Sequence, residues 1–167
     1  MARAYEWIRR ADSGSQAASR RFRFDCGLID APFTLERVIF GFIVRKRFAN
    51  GGVEIPPLGS GMRAGLLLLD SAAGTPDIDP TTSPDEDWLW VGLFMVQDVE
   101  TAGHIQDDHD RGWWTSGMQE ETIARRTITG SSDHRVWLVT SIIPPATPEV
   151  TPFAGTAQFA VLVSRPV

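Results

Sequence analysis

The sequence predicts an all-β protein: a single β-sandwich or jelly roll of about eight strands with extended N-terminal and C-terminal arms. Three observations predict it. Seven segments rich in β-branched and aromatic residues alternate with Pro- and Gly-containing turns. No stretch of about twelve residues carries the 3.6-residue period with caps, and residues 118–126 come nearest to one. No internal repeat is present, which disfavours propellers and solenoids. For eight strands joined by loops of such uneven length, a jelly roll is the commonest solution.

Residues 1–20 read as an arm. Tyr5, Trp7 and Ile8 make a short apolar cluster, either a short strand or a docked segment, ahead of loop-like ADSGSQAAS. From Arg21, RFRFDC alternates polar with apolar residues, the mark of a half-buried strand. Pro32 breaks that run, and residues 34–48 form a longer strand with Gly41 as a candidate bulge or point of close approach. Ala49, Asn50, Gly51 and Gly52 give the strongest turn signal in the chain, since Asn-Gly and Gly-Gly adopt positive φ readily. Residues 54–59 are a loop, and residues 63–70 a third strand.

Residues 71–87 (SAAGTPDIDPTTSPDED) form a long loop with three prolines and five acids. Loops of that length are usually functional or disordered. Residues 88–97 (WLWVGLFMVQ) are apolar on both faces and are expected in the middle of a sheet. Residues 98–119 are irregular. Residues 121–129 and 134–143 flank Gly130-Ser131-Ser132-Asp133 as a hairpin. Four prolines punctuate the next connection, and residues 157–165 close the chain as a final strand. The expected organisation is an arm (1–20), a β-sandwich (21–143), and a Pro-rich connection with a last strand (144–167).

At 167 residues with 43% hydrophobic and 22% charged side chains, the chain has the composition of one domain with its own core. The single Cys26 can make neither an internal disulfide nor a multi-cysteine zinc site. The longest apolar run, residues 88–96, spans nine residues, half of the roughly 18 a membrane helix needs. No apolar stretch near the start reads as a signal peptide. The expectation is a protein without membrane contact, kept in a reducing compartment.

Charge is unevenly spread within a net −5. Residues 1–47 carry ten basic and five acidic side chains, whereas residues 70–110 carry eleven acids and no Lys or Arg. Such a split lets the basic part of one copy meet the acidic part of the next, or meet nucleic acid.

Candidate chemistry is sparse. Gly59-Ser60-Gly61-Met62-Arg63-Ala64 fits GxGxx(G/A) loosely, but prolines precede it and a Leu-rich strand follows, where a phosphate site needs a helix. His104 and His109 with Asp107, Asp108 and Asp110 offer imidazole and carboxylate ligands for a metal, but a solvated acidic loop is the favoured reading and no metal is expected. The three histidines have no GxSxG elbow beside them. No catalytic residues and no cofactor are expected. Trp88, Trp90 and Trp137 lie in apolar strands and read as core. Trp7, Trp113 and Trp114 lie in irregular segments and read as interface anchors, since Trp is enriched in hot spots.

Several short motifs occur in an order that resembles small virion structural proteins of phage-like and single-stranded DNA viruses. They are Trp7-Ile8-Arg9-Arg10, Thr34-Leu35-Glu36-Arg37, residues 66–74, Trp88-Leu89-Trp90, and Arg125-Arg126 followed by Val136-Trp137-Leu138-Val139. The Phe22/Phe24 strand and the extension after Ile143 depart from that pattern. The resemblance implies a jelly-roll shell protein without enzymatic activity: a capsid, minor capsid or decoration subunit. It would be made in the host cytoplasm, reside in the virion, and assemble with copies of itself and with other virion proteins. Arg9, Arg10, Arg20, Arg21 and Arg23 would then pair with acids of the 70–110 block on a neighbour, with packaged nucleic acid as an alternative partner. Trp7, Trp113 and Trp114 would anchor the contact. The rival readings are a monomeric carbohydrate-binding sandwich using Trp113 and Trp114, a phage tail component, and a jelly-roll enzyme with a metal on His104 and His109.

Overall fold

The computed structural model describes residues 2–16, 21–46, 61–80, 82, 88–95, 113–115, 118–121, 123, 125–143 and 153–167. Its strands are β1 (Arg3–Asp12), β2 (Ser15–Gln16), β3 (Arg21–Ile29), β4 (Phe33–Lys46), β5 (Gly61–Asp70) and β6 (Trp90–Met95). They continue as β7 (Trp113–Thr115), β8 (Gln119–Glu121), β9 (Arg126–Ile128), β10 (His134–Ile143) and β11 (Phe153–Pro166). A 3-10 turn, Ser71–Ala73, follows β5, with the Asp70 carboxylate accepting from the Ala72 amide at 2.8 Å.

The strands form two antiparallel sheets. One has the order β1-β11-β4, with the short β7, β8 and β9 all pairing along the far edge of β4; the other runs β2-β3-β10-β5-β6. Counting β7–β9 as one interrupted strand and β2 as an extension on β3 leaves eight strands. The first pairs with the last, the second with the seventh, the third with the sixth, and the fourth with the fifth. A long hairpin rolled up in this way is a jelly roll.

Alternation sets the faces. Phe22, Phe24 and Cys26 of β3 point inward with Ala64 and Leu66 of β5, Val136 and Leu138 of β10, and Val161 and Val163 of β11. Burial of each large apolar side chain contributes about 1.5–3 kcal/mol. The parity of β4 changes once. Leu35 is buried, and so are Val38, Phe40 and Phe42, because a bulge opposite Leu162 and Val163 adds Glu36 to the strand. That extra residue turns both Glu36 and Arg37 away from the core.

Several expectations are corrected. Within the expected arm (1–20), residues 3–12 form an edge strand longer than the short strand or docked segment expected around Tyr5, Trp7 and Ile8: β1 pairs with β11 from Arg3↔Pro166 to Asp12↔Ala157. The hairpin expected around residues 130–133 does not form: β9 lies on β4 and β10 lies in the other sheet. Both edges of β10 are already taken, by β3 and by a ten-residue ladder with β5, so residues 130–133 cross between sheets. The segment expected to run unbroken through residues 121–129 is split into β8 and β9, with Ile123 buried between them. Gly41 pairs regularly with Gln158 and is no bulge. β6 is an edge strand, with Val91 and Leu93 exposed, despite its apolar composition. The turn at residues 49–52 lies outside the described residues.

Candidate association surface

The outer face of the β3-β10-β5 region is covered by the chain itself. Leu67 of β5 and Trp137 and Val139 of β10 point away from the main core and form a second apolar cluster with Leu69, Ile78 and Trp88. Pro76 and Pro80 are buried on either side of Ile78. The PDIDP stretch thus lays alternate residues on the sheet and turns Asp77 and Asp79 to its flanks. Arg21 pairs with Asp77 at 3.0 Å, Arg23 donates to the Pro76 carbonyl at 3.3 Å, and Ser141 Oγ donates to Asp79 at 3.0 Å. Gly65 leaves the room that Trp88 fills; a Cβ there would lie 2.4 Å from the ring.

The outer face of β1-β11-β4 is different. Directly opposed residues in an antiparallel pair share a face, so the register places Tyr5 beside Ser164, Trp7 beside Leu162 and Arg37, and Arg9 beside Ala160 and Ile39. Tyr5 is 63% exposed, Trp7 43%, Ile43 37% and Met118 63%, so no described segment lies over them. A shallow apolar groove of about 250 Å³ runs between Gly41, Ile43, Met118, Thr156 and Gln158. Among the described residues its lining holds no titratable side chain.

Charge on this molecule is arranged as carboxylates between guanidiniums. Asp25 takes Arg135 at 2.5 Å and Arg10 at 3.4 Å. Glu36, presented by the bulge, takes Arg125 at 2.6 Å, Ser164 Oγ at 2.6 Å and Arg3 at 3.6 Å. The hydrogen bond from Arg125 and then that from Ser164 hold the Glu36 carboxyl below its ordinary value, against the opposing effect of burial. Glu120 takes Arg37 at 3.0 Å. Burial pushes the Cys26 thiol well above its usual range, helped by the neighbouring Asp25 and Asp12 charges, which leaves it unreactive.

The residues singled out by sequence are dispersed. Trp7 and Arg9 are exposed on β1. Arg10 is tied to Asp25 and Arg21 to Asp77, while Arg23 donates to the Pro76 carbonyl; all three partners are in the same chain. Of these contacts, the Arg21–Asp77 pair joins the basic block to the acidic block in cis, whereas Asp25 belongs to the basic block itself and Arg23 meets a carbonyl. Trp113 and Trp114 have backbones in β7, opposite Arg45 and Val44. Arg20, His104, Asp107, Asp108, His109 and Asp110 lie outside the described residues. Trp137 and Trp88 belong to the outer cluster, whereas Trp90 packs on the main core, 5.1 Å from Phe40. The region around Gly61 and Ala64 is strand β5, with no helix after it to hold a phosphate. His134 bonds the Ser132 carbonyl at 2.8 Å. Among the described residues no three metal-ligating side chains converge. Sequence reading missed the outer cluster, although the alternation of Pro76, Ile78 and Pro80 with two aspartates carries its signal.

No family model matches this chain, and no curated protein does. Among solved structures, a chain of Desmodium yellow mottle tymovirus is similar with a TM-score of 0.36 and 8% identity, over 100% of this chain and 90% of that one. A chain of the infectious bursal disease virus Gx strain is similar with a TM-score of 0.36 and 11% identity, over 98% of this chain and 32% of that one. This chain thus spans about a third of the second. Likeness at this level carries no argument about topology or role. The jelly roll stands on the hydrogen-bonded strand order.

Proposed function

We propose that the chain is a virion structural protein, a capsid, minor capsid or decoration subunit that acts by assembling with copies of itself. The observation that carries this reading is the open outer face of the β1-β11-β4 sheet, which leaves Tyr5, Trp7, Ile43 and Met118 in water, whereas on the other sheet the protein's own loop covers Leu67, Trp137 and Val139 and leaves Leu28, Val91 and Leu93 exposed away from it. Trp7 lies beside Leu162 at one end of this face, and Ile43 and Met118 border the groove at the other; exposed apolar patches of this kind on a rigid sandwich mark contact surfaces. Jelly rolls serve shells, lectins and cupins alike, so the order of short sequence motifs, from the Trp7 segment to the Trp137 segment, is what favours the shell.

Light scattering on the purified full-length protein at low and high salt tests the reading. Trimers, pentamers or larger closed assemblies are expected. A monomer at tens of micromolar in both salts would overturn it in favour of the binding-module reading. The groove beside Ile43 and Met118 is the observation on the side of that module, and saturable glycan binding lost in Trp113→Ala or Trp114→Ala is its signature.

A further inference from the structure

One row of residues crosses the open sheet in register: Arg9 on β1, Ala160 on β11, Ile39 on β4 and Glu120 on β8. Its ends carry opposite charges and its middle is apolar and half-buried. Asp25 and Glu36 each sit between two guanidiniums, whereas among the described residues Glu120 pairs with Arg37 alone, its side chain 53% exposed. Arg9 is exposed and, among the described residues, has no ion-pair partner.

We propose that this face packs against the same face of a second copy, about a two-fold axis that runs along the strands between β11 and β4. The inference rests on the assembly reading above and names its contact. Such an axis maps each end of the row onto the other end in the partner, so Arg9 of each copy reaches Glu120 of the other. Glu120 then gains the second guanidinium that Asp25 and Glu36 already have. Ala160 meets Ile39, and Trp7 covers the Arg37–Glu120 pair, a position in which a ring face attracts a guanidinium.

A two-fold across the strands placed over this row lays Arg9 on Arg9 and Glu120 on Glu120, and the complementary charges of the row favour the first axis. Arg9 and Glu120 each stand one and a half strand spacings from the chosen axis, about 7 Å. The roughly 30° crossing usual for face-packed sheets therefore keeps both within reach of a long side chain. An interface of this kind is isologous, with every contact made twice, which is why a single complementary pair suffices to orient it.

The test is a charge swap in the full chain, read by sedimentation velocity over a concentration series. Arg9→Glu and Glu120→Arg should each raise the dissociation constant of the dimeric step about tenfold or more. The double variant should return to within about threefold of the wild type. Thermal melts of all three keep folding separate from association. Singles that assemble like the wild type, or a double variant no better than either single, would overturn this contact while leaving assembly in place. A monomeric wild type would remove the assembly reading itself, and this contact with it.

Discussion

Trp137 and Trp7 sit on the outer faces of opposite sheets, and the chain treats them differently. Trp137 is 8% exposed because Ile78, Trp88 and Leu69 pack against its cluster, whereas Trp7 is 43% exposed. The strands beneath do not account for the difference. β5 and β10 carry apolar residues outward, and so do β1, β11 and β4. What differs is the connection: the loop after β5 alternates apolar and acidic residues, so it can lie flat on a sheet that presents Arg21, Arg23 and Ser141. In this molecule closure of a face is decided by the loop that returns over it.

The largest effect should separate those two tryptophans. Trp137→Ala empties the middle of the outer cluster and should cost about 3 kcal/mol or more in urea unfolding followed by circular dichroism. Trp7→Ala, at concentrations where the chain is monomeric, should cost less than about 1 kcal/mol while weakening self-association. Equal losses of stability would abolish the distinction between a closed and an open face.

Much of this architecture was legible in the sequence. The alternation in residues 21–26 and the β-branched runs of β4, β5 and β10 announce strands because one buried face imposes a period of two. Pairing was less legible, because it depends on which edges are free. Residues 121–129 and 134–143 look like a hairpin locally, yet β10 is claimed on both sides by β3 and β5. β6 reads as a central strand from its composition and lies at an edge. The charge split was visible as well, but its resolution was not. Arg21 finds Asp77 within its own chain because β3 and the covering loop share one face.

Smaller effects should follow from unfastening that loop. Asp79→Ala leaves the buried Ser141 hydroxyl without its acceptor and should cost about 1 kcal/mol, together with a red shift of tryptophan emission as Trp88 and Trp137 meet water. Asp77→Ala removes an ion pair whose acid is 79% exposed, so its cost should stay below about 0.5 kcal/mol. If Asp77→Ala proved the costlier, the loop would be held by charge rather than by Ile78 and the prolines.

The smallest effect concerns the open sheet and its bulge. Glu36 is held ionised chiefly by the hydrogen bond from Arg125 and then by that from Ser164, with its folded carboxyl below the ordinary 4.5. The unfolded chain therefore binds the proton more readily than the folded one. The stabilisation from this site is complete above the ordinary carboxylate value and fades as pH falls through the lowered folded value. Melting temperatures of the wild type and of Glu36→Gln, taken from pH 7 down to pH 3, should differ most at neutral pH and converge in acid. The gap should be modest, because the Arg125 side chain is 59% exposed and solvent screens the pair. Curves that stay parallel throughout would mean that the bulge is held by backbone pairing alone, with its charge a bystander. In that case the Arg3–Glu36–Arg125 arrangement would no longer serve as the precedent for placing a second guanidinium on Glu120.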